Sequence, residues 1–204
     1  MKIGIIGNGN VGGNLAQLFT RAGHEVVAAG RAGGIEFSDA AAHGDVVILA
    51  IPFVAVADTL PGLQHALAGK IVVDATNPLG EDWSPLALPG GESAAETIQR
   101  ALPNSRVVKA FNTIFADAMQ GRERTADSQP TTAFLCGDDS AARDAVASLA
   151  SDLDWDPVDA GPLLCARYLE GMAHLNIQLA VSMGRGTQSM FGYHRPTDFA
   201  GAQR

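Results

Sequence analysis

Gly4-Ile5-Ile6-Gly7-Asn8-Gly9-Asn10-Val11-Gly12-Gly13 decides the fold. Gly7, Gly9 and Gly12 hold the G-x-G-x-x-G spacing, directly after an apolar run and directly before a helical pattern. That order of strand, glycine turn and helix marks a dinucleotide site. Gly7 permits the tight turn, Gly9 lets backbone approach a pyrophosphate, and Gly12 lets helix and strand pack closely. The helix N-terminus then turns its free amides toward the anion.

Outward from this loop, strand patterns alternate with helical ones. Residues 2–6 form an almost wholly apolar run, as for a central strand buried on both faces. Residues 10–22 follow as a helix, with Val11, Leu15, Leu18 and Phe19 on one face and Gly23 as its stop. Further strands are expected at 25–29, 46–51, 70–74, 106–110 and 132–136. Ser38 is expected to cap a short turn ending at Gly44, and the helix after Pro52 to break near Pro61-Gly62. Ser93-Ala94-Ala95-Glu96 reads as a capping box, and residues 138–150 as a helix. The alternation implies an α/β fold with a doubly wound, mostly parallel sheet. Residues 163–183 read as one long helix with two apolar stripes, one through Tyr168, Met172, Leu175 and Leu179, the other through Leu169, Ala173, Ile177 and Ala180. So wide an apolar surface needs cover on more than one side: either the helix packs on the sheet and the C-terminal tail covers it, or it also meets a second subunit. A homodimer through this helix is therefore one expectation.

Composition bounds the function. The chain has 204 residues and a formal net charge of −8. That length is one domain, or one domain with a short extension. The negative charge repels nucleic acid and anionic membranes, so neither is an expected partner. Cys136 and Cys165 share no metal or redox spacing and read as reduced structural thiols. The first strand starts at residue 2, which leaves no room for a signal peptide, and no apolar run is long enough to span a bilayer. The expectation is a soluble cytoplasmic protein.

The end of the second strand selects the dinucleotide. NAD sites place a carboxylate there for the ribose 2′-hydroxyl. This chain has Ala28-Ala29-Gly30-Arg31, where Gly30 leaves space and Arg31 supplies a guanidinium for a 2′-phosphate. NADP(H) is expected over NAD(H). Downstream, acid–base machinery is missing. His24, His43, His65, His174 and His194 show no pairing, and only His174, on the long helix, is worth following. The lysines are Lys2, Lys70 and Lys109, so the late helical lysine of two-domain hydroxyacid dehydrogenases is absent. Asp152, Asp154 and Asp156 alternate like a calcium loop, but Pro157 and Leu163 stand where glycine and glutamate are required. No metal site and no catalytic side chain are expected. Hydride exchange between two redox rings needs alignment more than an acid or base.

Several motifs then fall in one order: the glycine loop, Gly30-Arg31, Ile51-Pro52, Asp74-Ala75-Thr76-Asn77-Pro78, Lys109-Ala110-Phe111-Asn112-Thr113-Ile114, Cys136-Gly137-Asp138-Asp139 and Asp159-Ala160-Gly161-Pro162-Leu163. In this arrangement the chain resembles the coenzyme F420-dependent NADP oxidoreductases, from residue 1 to about 193. The resemblance implies an NAD(P)-binding Rossmann domain over residues 1–160, with a C-terminal helix and tail, 161–204, packing on it. It implies hydride transfer between NADPH and a deazaflavin, coenzyme F420. Asn8, Asn10 and Val11 would wrap the pyrophosphate and ribose, and Gly30 and Arg31 would face the 2′-phosphate. Ile51 and Pro52 would sit near the middle of the dinucleotide, with Asn77, Pro78, Ala110 and Asn112 near the nicotinamide and second ring. Phe111 reads as core. One departure is Arg31-Ala32-Gly33-Gly34, where the archaeal enzymes carry a longer basic helix. Lys-Ala-Phe-Asn-Thr-Ile is also similar to the reductase domain of six-transmembrane ferric reductases. A flavin or ferric-chelate reductase, or a non-catalytic NADP(H) sensor, remain as alternatives, and the acceptor is a small molecule in either enzymatic reading.

Overall fold

The computed structural model describes residues 1–31, 34–120 and 130–194. Ala32 and Gly33 of the shortened basic turn, and the tail from residue 195, lie outside the described residues.

A single seven-stranded sheet organises the molecule: β1 (Lys2–Ile6), β2 (Glu25–Ala29), β3 (Val46–Leu49), β4 (Ile71–Asp74), β5 (Arg106–Ala110), β6 (Thr132–Gly137) and β7 (Asp156–Asp159). Their spatial order is β2-β1-β3-β4-β5-β6-β7. The first five run parallel, β6 is antiparallel to β5, and β7 is parallel to β6. The helices are α1 (Asn10–Arg21), α2 (Phe37–His43), α3 (Val56–Thr59), α4 (Gln64–Leu67), α5 (Ala94–Ala101), α6 (Ala116–Met119), α7 (Ser140–Ser151) and α8 (Ala166–Ile177).

The strands are apolar on both faces because helices cover both. Ile3, Ile5, Ile48, Val73 and Val108 face one core with Leu15 and Phe19 of α1 and Val146 of α7. Ile6, Val47, Leu49, Val72 and Val107 face the other, with Leu67 of α4, Ile98 of α5 and Leu169 of α8. Close approach fixes two glycines: a Cβ on Gly4 would meet the Ala40 carbonyl oxygen at 2.0 Å, and one on Gly44 the Gly4 nitrogen at 2.4 Å.

Several expectations shift. The helix near Ser38 begins at Phe37 with Glu36 at its N-cap, so Ser38 lies inside the first turn. The segment after Pro52 breaks as expected, into two short 3-10 turns alternating with α3 and α4. Asp139 caps α7 by accepting from the Ala142 amide at 2.7 Å. Asp138 instead accepts from the Leu163 amide, tying β6 to the C-terminal helical region. β7 carries two aspartates and Pro157, which hide its strand pattern; an edge position tolerates the missing proline N–H. The antiparallel β6 follows from its connection: a parallel crossover needs a covering helix, and the described part of this segment holds only the one-turn α6.

The long C-terminal helix is real but not uniform. A 3-10 turn (Leu163–Cys165) leads into α8, and a π-helical stretch (Gln178–Ser182) continues it to Gly184, whose φ of 64° ends it. Leu169, Ala173, Ile177 and Ala180 are buried, whereas Tyr168 is 71% and Leu175 52% exposed. Among the described residues, no helix is long and apolar enough to cross a membrane.

Candidate functional site

The strand order reverses between β1 and β3, because β2 lies on one side of β1 and β3 on the other. Ligands of open α/β sheets collect at such a point, beyond the carboxyl ends of the strands. The glycine turn stands there. Gly7 has φ 109°, and its amide donates to the Ala29 carbonyl at 2.8 Å. A Cβ on Gly7 would meet the Ala50 oxygen at 2.3 Å, and one on Gly12 the Gly7 oxygen at 1.8 Å. Gly9 is different: a Cβ there would meet nothing within 4 Å. Gly7 and Gly12 are therefore glycines for packing, and Gly9 faces open space. As the N-cap of α1, Gly9 brings no capping side chain, which leaves the first-turn amides of the helix to an incoming anion.

Beyond the turn opens a cleft of about 550 Å³. The turn contributes Gly9, Asn10 and Val11, the end of β3 contributes Ile51 and Pro52, and the ends of β4 and β5 contribute Asn77 and Asn112. Those seven expected site residues are thus brought together. Gly7 and Gly12 lie buried under the turn. Asn8 and Arg31 are exposed on the β2 side, outside the cleft. Gly30 sits against Asn8: a Cβ there would meet the Asn8 Cβ at 2.8 Å, so the space expected at Gly30 is taken by Asn8. Pro78 and Ala110 are buried and do not border the cleft; Ala110 belongs to the core.

Asn77 and Asn112 clasp one another. Asn77 Nδ2 donates to the Asn112 carbonyl at 2.9 Å, and Asn112 Nδ2 donates to Asn77 Oδ1 at 2.9 Å and to the Leu169 carbonyl of α8 at 3.1 Å. Two backbone acceptors fix both amide orientations. Phe111, between them and β5, takes φ 66° and is buried with edge contacts to Phe19 and Trp155, so its core reading holds while it also borders the cleft.

A fully buried ion cluster lies beneath the clasp. Lys109 Nζ reaches Asp74 Oδ2 and Glu170 Oε1, each at 2.8 Å, and donates to the Thr76 carbonyl at 2.6 Å. Glu170 also accepts from the Ala94 and Ala95 amides at the start of α5. Burial acts to lower the Lys109 pKa, but the two carboxylates outweigh it and hold the ammonium above its ordinary range. The cluster bolts β4, β5, α5 and α8 together below the site. Asp74 and Lys109 each open a sequence motif, but their pairing with each other and with Glu170 was not legible, since the three come from distant segments.

His174, one turn beyond Glu170, does not border the cleft; burial lowers its pKa against the opposing pull of Glu170 and the Pro78 backbone. His24 approaches Asp152 at 3.3 Å, a pairing the spacing did not reveal. Cys136 is buried, and burial pushes its thiol up to about 12, in keeping with a structural role. Among the described residues no cluster of three potential metal ligands occurs. Of those bordering the cleft, only Asp117 is ionisable, and the Thr187 hydroxyl donates to it.

Comparison with known proteins agrees with this geometry. Residues 28–78 match the family model for coenzyme F420-dependent NADP oxidoreductases. The F420-dependent NADP reductase of Methanocaldococcus jannaschii is 34% identical over 153 residues, covering 72% of this chain and 67% of that one. The rat metalloreductase STEAP3 is 32% identical over 182 residues, 84% of this chain, but the match spans only 36% of that longer protein. A solved structure from Arthrobacter sp. FB24, provisionally assigned as an F420-dependent NADP-reductase, superposes with a TM-score of 0.83 at 30% identity, over 96% of this chain and all of that one. The fold, the glycine turn at the strand-order reversal and these relatives agree: the chain belongs to the coenzyme F420-dependent NADP oxidoreductases.

Proposed function

We propose that the cleft binds NADP(H) with its pyrophosphate on the α1 N-terminus and its 2′-phosphate at Arg31, and passes a hydride to coenzyme F420. The observation that carries this reading is the cleft wall. It runs from Gly9 to the Asn77–Asn112 clasp, and its sole ionisable group among the described residues is engaged by Thr187. Such a wall is poor in acid–base chemistry and suited to holding two rings in register. When bound, NADPH gives up a hydride from its nicotinamide, and the acceptor ring gains that hydride and one proton from solvent.

The chain's residues bind and align. The α1 amides meet the pyrophosphate, Asn8 flanks it, and Asn10 and Val11 meet the adjoining ribose. Ile51 and Pro52 border the middle of the dinucleotide. The clasp sets the far wall, which Lys109 stiffens from below through the Thr76 carbonyl. No side chain forms a covalent intermediate. We assign residues 1–160 to the cofactor-binding domain and the helix that follows to its cover, in a cytoplasmic protein. The exposed Tyr168 and Leu175 make the outer face of α8 the candidate dimer contact.

Anaerobic NADPH with oxidised F420, FMN, FAD or a ferric chelate tests the reading. Loss of oxidised F420 absorbance, faster than turnover of the other acceptors, is the expected result. Turnover only with flavins or ferric chelates would favour the second reading, to which the metalloreductase similarity points. Tight NADPH binding with no turnover of any acceptor would favour a sensor.

A further inference from the structure

The loop between β4 and α5 is built to present one side chain. Leu79 and Pro85 form an antiparallel bridge, and the Leu86 amide donates to the Pro78 carbonyl at 2.9 Å. Within it, the Gly80 amide donates to the Ser84 carbonyl at 2.9 Å and the Trp83 amide to the Gly80 carbonyl at 3.0 Å. Asp82 accepts from the Ser84 amide and hydroxyl, which lowers its pKa. At the tip, Trp83 takes φ 66° and remains 57% exposed. A bulky residue in the left-handed region is strained and persists where its surroundings enforce it. Trp83 borders the cleft, together with Leu79 and Gly80 of its own loop and Ile177 and Val181 of the C-terminal helical region.

Its place along the sheet tells which ligand it meets. Arg31, the glycine turn, Pro52 and this loop follow β2, β1, β3 and β4, which are successive neighbours about 4.8 Å apart. A dinucleotide anchored at the first two passes its middle at the third, so its nicotinamide lies toward the fourth. The loop after β4 therefore borders the nicotinamide end of the cleft, where an acceptor ring has to stack for hydride transfer.

We propose that Trp83 is an acceptor-recognition residue, whose indole covers a planar heteroaromatic acceptor and favours it over a hydrated metal chelate. This rests on the reading that NADPH occupies the Gly9 end. Trp83→Phe keeps a ring, and Trp83→Asn removes it while tolerating the left-handed backbone. Steady-state rates with F420 and NADPH should show KM for F420 raised about threefold to tenfold in Trp83→Asn, largely restored in Trp83→Phe, with KM for NADPH within about twofold. Trp155 is buried, so the emission lost in Trp83→Phe isolates Trp83. Oxidised F420 or FMN added to the NADP⁺-saturated protein should quench that component. An unchanged acceptor KM in Trp83→Asn, or no quench of Trp83 by either ring while NADP⁺ binds normally, overturns the inference and leaves the cofactor site standing. Failure to bind NADPH at all overturns the function reading, and the inference with it.

Discussion

Arg31 and Gly30 are neighbours with different duties. Arg31 is exposed beside the glycine turn, where a guanidinium can meet a 2′-phosphate. Arg31→Ala should weaken NADPH binding by roughly tenfold to hundredfold and leave NADH unchanged, by fluorescence titration. Equal loss for both would remove Arg31 from the phosphate. Gly30 is pinned by Asn8, so Gly30→Asp should weaken both dinucleotides rather than switch preference, because its Cβ would displace Asn8 from the turn. Lys109 is the opposite case: it opens one of the sequence motifs, but nothing in the sequence shows its partners. Its residue type reads as a surface charge, and its partners Asp74 and Glu170 become neighbours only through β4 and α8. Lys109→Met strands two buried carboxylates and should cost about 3–5 kcal/mol in urea unfolding. A loss under about 1 kcal/mol would show that the cluster is not the bolt described here.

At the scale of elements, helix ends were legible where the signal is local. Ser93-Ala94-Ala95-Glu96 forms the capping box expected of it: Ser93 accepts from the Glu96 amide, and the Ser93 amide donates to Glu96. Ser93→Ala should destabilise by about 1 kcal/mol. Arg167 of α8 binds the same Glu96 and, with the serine contacts, lowers its pKa from 4.5 to about 2. A depressed carboxylate contributes stability fully above pH 4.5, and that contribution is lost as pH falls toward 2. Acid unfolding of Glu96→Gln should therefore show a shallower slope between pH 5 and 2 than the parent; an identical slope would contradict the linkage. The changes from 3-10 to α to π along residues 163–182 were not legible, since an apolar stripe reads the same for all three. β7 escaped for another reason: two aspartates and a proline carry no alternation at an edge.

For the whole molecule, the glycine turn and five parallel strands follow from local pattern, because each strand is a mainly apolar run and each connection carries helix. The antiparallel β6 depends on a connection whose path no local pattern fixes. Seven of the expected site residues converge on one cleft because they share a position, the carboxyl end of a strand; Ala110 shares it too but turns into the core. The exposed Tyr168–Leu175 face of α8 predicts a dimer in sedimentation at micromolar concentration, and a monomer there would end the interface proposal. The central claim is direct hydride passage between two rings held in this cleft. A deazaflavin accepts hydride on carbon, so an isotope placed there does not wash out into water. NADPH dideuterated at its nicotinamide C4, incubated anaerobically with oxidised F420, should yield reduced F420 carrying one deuterium per molecule. Reduced F420 without deuterium, or NADPH that is bound but never oxidised by F420, would contradict the account.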